Sequence, residues 1–246
     1  MKPPISNSQT ASGNARFSEQ KSKAIVFDSG TLINFVMNGL FQEFRELKKI
    51  FNGKFLITKE VKGEIIDRPI TMKRFELEAL RLKELLEENV IEMPSALGID
   101  ENKISKMTKE VLEVSNDTFF GRENAIHIID LGEASCLALS KLLDEKNIKN
   151  VISVDERTVR VLSEKPENLL TLLQKKLHTG ITAKKQNFKY FSGYKFIRSA
   201  ELMYILYKKG IIKLKNHNVL DALLYAVKFK GCSITDEEIN EMKRLG

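Results

Sequence analysis

Three short apolar runs, KAIVF at 23–27, KFLIT at 54–58 and NVISV at 150–154, each meet a residue able to cap a helix, and helical spacing follows each of them. Brief runs rich in β-branched and aromatic residues read as buried strands, and strands alternating with helices predict a mostly parallel sheet between helical layers. The expected fold is therefore α/β, a three-layer α/β/α sandwich. In such a sheet, residues just past the strand ends gather along one edge, where ligands bind.

Four acidic motifs fall at such points: FDSGTLI around Asp28, EVKGEIID around Glu64, IDLGEASCLAL around Asp130 and Glu133, and VISVDERT around Asp155. Each has a bland explanation. Asp28 and Asp155 suit helix N-caps, Glu64 alone suits a solvated helical face, and Asp130 with Glu133 has the D-x-x-E spacing of a capping box. Gly132 in the same first turn weakens the helix but leaves room for a close ligand or metal. Taken together, several carboxylates on one edge repel one another unless cations neutralise them, and Mg²⁺ or Mn²⁺ are the ions that carboxylate oxygens suit.

FDSGTL invites comparison with the haloacid-dehalogenase-type phosphatases, but the second Asp of their D-x-D-G-T motif is missing, which leaves that chemistry without its acid. In order and placement the acids resemble those of the PIN-domain ribonucleases, in particular archaeal-type members with a D-x-GE motif, over about residues 23–165. The resemblance implies a PIN-like fold, with Asp28, Glu64, Glu133 and Asp155 as catalytic acids. It further implies Asp130 as an additional acid near the metal, Ser153 of the Ser-x-Asp motif as a supporting residue, and RNA as substrate. A toxin-type enzyme would also have an antitoxin-like partner; an RNA-processing enzyme would not need one. The competing expectation is a non-catalytic RNA-binding or scaffold module on the same fold, against which stands the presence of all four acids.

Charge is unevenly spread. Between Lys175 and Lys230 there are thirteen basic residues against two acids, a surplus larger than the +7 of the whole chain. A net acidic body beside a basic segment is what a metal-binding cleft with a polyanionic substrate calls for. The aromatic-rich FKYFSGYKF predicts an RNA contact, with Lys184, Lys185, Lys189, Tyr190 and Lys195 as nucleic-acid-binding residues; the alternative is that its aromatics are core.

The expected organisation is a flexible tail at 1–22, a PIN-like domain at 23–178, and a basic C-terminal extension at 179–246 that reads as helices only. A short VIEM strand at 90–93 and a helix plus mobile connection at 98–126 complete the reading. Met203, Leu206, Leu220, Leu223, Leu224 and Val227 have helical spacing that suits core or a homodimer surface. His127 and His217 lack partners in sequence and read as structural. With no signal core and no long apolar run, a cytoplasmic protein without a membrane span is expected, and Cys136 and Cys232 read as small buried residues.

Overall fold

The computed structural model describes residues 23–122 and 124–245; the expected tail at 1–22 lies outside them. Strand β1 (Lys23–Phe27) leads into helix α1 (Ser29–Met37), then α2 (Phe41–Phe51), β2 (Lys54–Leu56) and α3 (Lys59–Lys62). The helical spacing after β1 is realised as two helices, because Gly39 turns the chain with φ 71°. Helix α3 runs on into a π-helical turn at Gly63–Asp67, and α4 (Glu76–Glu87) follows.

The expected VIEM strand reduces to one residue: Glu92 bridges Leu56 in parallel, its amide donating to the Phe55 carbonyl at 2.8 Å. Segment 98–126 is more regular than its sequence suggested, with a sixteen-residue helix α5 (Glu101–Asn116) and two short strands, β3 (Phe119–Gly121) and β4 (Asn124–Ala125). Helix α6 (Leu131–Glu145), β5 (Lys149–Ser153), α7 (Arg157–Glu164) and α8 (Pro166–Leu177) come next, much as the pattern predicts.

The C-terminal part departs from the all-helical expectation. It contains β6 (Ile181–Ala183) and β7 (Phe196–Ile197) before α9 (Ser199–Lys208), α10 (Val219–Lys228) and α11 (Asp236–Leu245). Strand β7 is an edge of the main sheet, whose order β2-β1-β5-β7 is parallel throughout, while β6 joins a small antiparallel sheet of order β4-β3-β6. One hydrophobic core takes in residues from Ala24 to Ile239, on both sides of residue 179.

The protein is α/β around this mostly parallel sheet. Ala24, Ile25, Val26 and Phe27 are consecutive and all buried, which requires cover on both faces of β1. Phe27, Phe35, Phe44 and Phe55 meet edge to face or tilted at 4.8 to 5.4 Å, a ring cluster that anchors β1 and β2 to α1 and α2. Cys136 and Cys232 are buried free thiols. Among the described residues no helix is long and apolar enough to cross a membrane.

Candidate functional site

The register of the sheet sets the first acids. Phe27 pairs with Ser153, and the next amide, Asp28 N–H, donates to the Ser153 carbonyl at 2.9 Å, so Asp28 leaves the sheet at its carboxyl edge beside β5. There it caps α1, its Oδ2 accepting the Gly30 amide at 3.3 Å. Ser153 itself is fully buried, its hydroxyl donating to Thr31 Oγ1 at 3.2 Å, and so braces α1 against β5 beneath Asp28.

The second acid comes from the π-helical turn after α3. Thr58 caps α3, accepting the Val61 amide, and its hydroxyl also bonds Ser135 of α6 at 2.7 Å. Ile65 and Ile66 are buried, which turns Glu64 toward the start of α6. The space that Gly132 leaves is filled by Glu64: a β-carbon on Gly132 would stand 2.9 Å from both of its carboxylate oxygens.

At the start of α6 the capping box is real. Asp130 Oδ1 accepts the Glu133 amide at 2.8 Å and Glu133 Oε2 accepts the Asp130 amide at 2.9 Å. The box does not exclude a role in the site, because it fixes both carboxyl groups at the mouth of a helix N-terminus, facing Asp28 and Glu64.

These acids strain one another. The Asp28 carboxyl is pushed up to about 7, chiefly by burial and next by the charge of Asp130, with the Gly30 and Ser29 amides opposing and Glu64 adding. Glu133 is pushed up to about 8, again chiefly by burial, against the opposing Asp130 amide bond and with the charges of Asp130 and Asp28 behind it. Glu64 is raised by burial first and by Asp130 second, a bond from Ser29 and the nearby Arg68 opposing. Desolvated carboxylates held against like charge are the pattern of a functional site.

Asp155 lines the same cleft but is differently engaged. Its Oδ2 accepts from Asn34 Nδ2 at 2.6 Å and its Oδ1 accepts the Ser199 amide at 2.8 Å, so both oxygens already have protein donors. Since a carboxylate only accepts, Asn34 must present its NH₂ to it, which leaves Asn34 Oδ1 buried and without a partner among the described residues.

The cleft has a volume of about 610 Å³ and includes Asp28, Asn34, Asp130, Glu133 and Asp155, with His127, Lys176 and Lys230 also in its lining. Glu64 instead lines a neighbouring apolar pocket with Ile33, Met37 and Phe75, reaching the acidic group from behind Gly132. Among the described residues no three acid, His or Cys side chains stand together as a ready-made metal-binding group. The donor set, hard carboxylate oxygens under mutual repulsion, nevertheless suits Mg²⁺ or Mn²⁺ rather than a softer ion.

The expected nucleic-acid contacts lie elsewhere. Phe191 is fully buried and Phe188 packs on Phe119 at 5.8 Å, so these aromatics of FKYFSGYKF are core, as the alternative had it. Tyr190 donates to Glu110 of α5 at 3.0 Å and lies 3.1 Å beneath the Lys141 amine of α6. Lys184 pairs with Asp117, while Lys185, Lys189 and Lys195 are exposed; none of the five lines the cleft. The residues that sequence reasoning missed are Asn34, His127, Lys176 and Lys230. The two lysines were visible only as part of a basic stretch, and Asn34 carried no signal at all.

Compared with protein-family models, with curated proteins and with solved structures, the chain gives no significant match.

Proposed function

We propose that this chain is a divalent-metal-dependent endoribonuclease with a PIN-like fold. The observation that carries the reading is the convergence of Asp28, Glu64, Asp130 and Glu133 at the carboxyl edge of a parallel sheet, where burial and mutual charge hold Asp28 and Glu133 well above the usual carboxylate range and raise Glu64. The order of these acids after β1, after β2 and on α6 is the order in which the PIN-type motifs resemble this sequence.

Mg²⁺ or Mn²⁺, held by Asp28 and Glu133 with Asp130 and Glu64 beside them, would supply a water of lowered pKa and neutralise phosphate charge. The chain's own residues do the rest. The capping box keeps Glu133 from rotating away, and Gly132 lets Glu64 close on the same point. Lys176 and Lys230 offer charge to the phosphates flanking the scissile one. Asn34 Oδ1 is a buried acceptor that can take a hydrogen bond from an enclosed water. In this reading Asp155 holds Asn34 and the start of α9, a positioning task rather than a ligand's.

The test is incubation of the purified protein with single-stranded and structured RNAs, with Mn²⁺, with chelator, and with Asp28→Asn. Cleavage should need the metal and fall at least about 100-fold in the variant. Metal-independent cleavage, or cleavage indifferent to the substitution, would overturn the reading; RNA bound tightly and never cut would favour the non-catalytic module.

A further inference from the structure

We infer that the end of α10 is a subsite for single-stranded RNA beside the acidic cleft, with a base stacked on Phe229 and the adjoining phosphate on Lys230. The inference rests on the ribonuclease reading and names where the strand lies.

Phe229 is 80% exposed, the highest exposure among the large apolar side chains of the described residues. Its ring stacks on Tyr225 one helical turn earlier, with centroids 5.9 Å apart and planes 28° from parallel, so it is held as a platform while most of its surface stays in water. An exposed ring contributes little to the fold, but every nucleobase has a face that such a ring can take up. Lys230, the next residue but one along the chain from Lys228, lines the cleft and forms no ion pair among the described residues. Phe229 and Lys230 thus put an aromatic and a basic group side by side where Lys230 and Gly231 line the cleft, the pairing expected of FKYFSGYKF, whose Phe188 and Phe191 are buried.

The display is rigid. Gly231 ends α10 with φ 104°, a left-handed conformation that favours glycine, and the Cys232 amide closes back on the Val227 carbonyl at 3.0 Å. The Ser233 peptide is then pinned from both sides. Its N–H donates to the Asp155 carbonyl at 3.0 Å, and its carbonyl accepts from Arg198 Nη1 at 2.8 Å and Arg160 Nη2 at 3.2 Å. Asp155, which ends the β5 motif, therefore fixes the turn that carries Lys230 to the cleft, and little ordering entropy remains to be lost on binding. Duplex RNA keeps its bases stacked on each other and could use only the lysine.

The experiment is fluorescence anisotropy with a labelled single-stranded RNA and with a duplex of the same length, in chelator so that nothing is cut. Phe229→Ala should weaken single-strand binding about tenfold and leave duplex binding unchanged, with Phe229→Tyr close to wild type. Lys230→Ala should weaken both and flatten the salt dependence by about one phosphate contact. Equal single-strand affinity in Phe229→Ala, or an effect of that variant on self-association in sedimentation instead of on RNA, would overturn the subsite. Mn²⁺-dependent cleavage by wild type, run alongside, separates failure of the subsite from failure of the ribonuclease reading: a wild type that cuts RNA while Phe229→Ala binds normally sinks only the former.

Discussion

The Glu64 carboxylate lies against Gly132, where a β-carbon would come within 2.9 Å of both oxygens and 3.2 Å of the carboxyl carbon. The glycine in the first turn of α6 is thus the space through which an acid from another helix reaches the group formed by Asp28, Asp130 and Glu133. Gly132→Ala should separate stability from function. The atoms displaced are the end of a flexible side chain, and alanine favours the helix by up to about 1 kcal/mol, so thermal stability should hold or rise slightly. Mn²⁺ affinity by calorimetry should fall by about tenfold or more. Unchanged affinity would mean that Glu64 is not part of the metal site.

Asp28→Asn should stabilise the metal-free protein while removing activity. Asparagine caps a helix about as well as aspartate, so the bond to the Gly30 amide survives while the buried charge beside Asp130 is gone. The gain, about 1 kcal/mol or more by urea unfolding at pH 8, should shrink as the pH falls and vanish only below about 4, where the unfolded chain holds the proton as well. A variant less stable than wild type at pH 8 would show that the acids do not strain one another.

The metal-free protein should lose stability as pH rises from about 4 to about 8. Asp28 and Glu133 hold protons in the folded state up to about 7 and about 8, whereas the unfolded chain releases them near their ordinary values of 3.8 and 4.5. The native state binds more protons across that window, so the free energy of unfolding falls with pH, by up to about 1.4 kcal/mol per pH unit for each group. Mn²⁺ added at pH 8 should restore the loss and release protons. Melting temperatures in chelator that stay flat or climb between pH 5 and 8 would contradict both shifts.

Much of this was readable because local signals and tertiary structure agreed. KAIVF, KFLIT and NVISV became β1, β2 and β5 since each is a β-branched run ended by a cap; Asp28 stands at a strand end of the parallel sheet, and Glu64, Asp130 and Glu133 are brought to it by the turn after α3 and the start of α6. What escaped depends on partners distant in sequence. Asn34 and Asp155 bond across 121 residues, and β7, two residues long, has no period to detect. In FKYFSGYKF, alternating aromatics and lysines look alike whether they stack on bases or pack on α5 and α6; only the partners Glu110, Phe119 and Lys141 decide it.

Asp155 gives the sharpest test, because two substitutions should behave in opposite ways. Asp155→Ala leaves the Ser199 amide buried without its acceptor and Asn34 Nδ2 with only the Ser199 hydroxyl at 3.4 Å, and hydrogen bonds to a charged group contribute about 1.5 to 3 kcal/mol each, so the loss should be about 3 kcal/mol or more. Asp155→Asn can be absorbed. If the Asn34 amide turns over, its Oδ1 accepts from the new NH₂ and the new carbonyl oxygen takes the Ser199 amide, while the Asn34 NH₂ moves to the place where Oδ1 lacked a partner, so one unpartnered buried group replaces another. Stability should stay within about 1 kcal/mol of wild type, and Mn²⁺ affinity should change far less than in Asp28→Asn. If instead Asp155→Asn folds normally and loses the metal as completely as Asp28→Asn does, Asp155 is a ligand and its bonds to Asn34 and Ser199 only aim it.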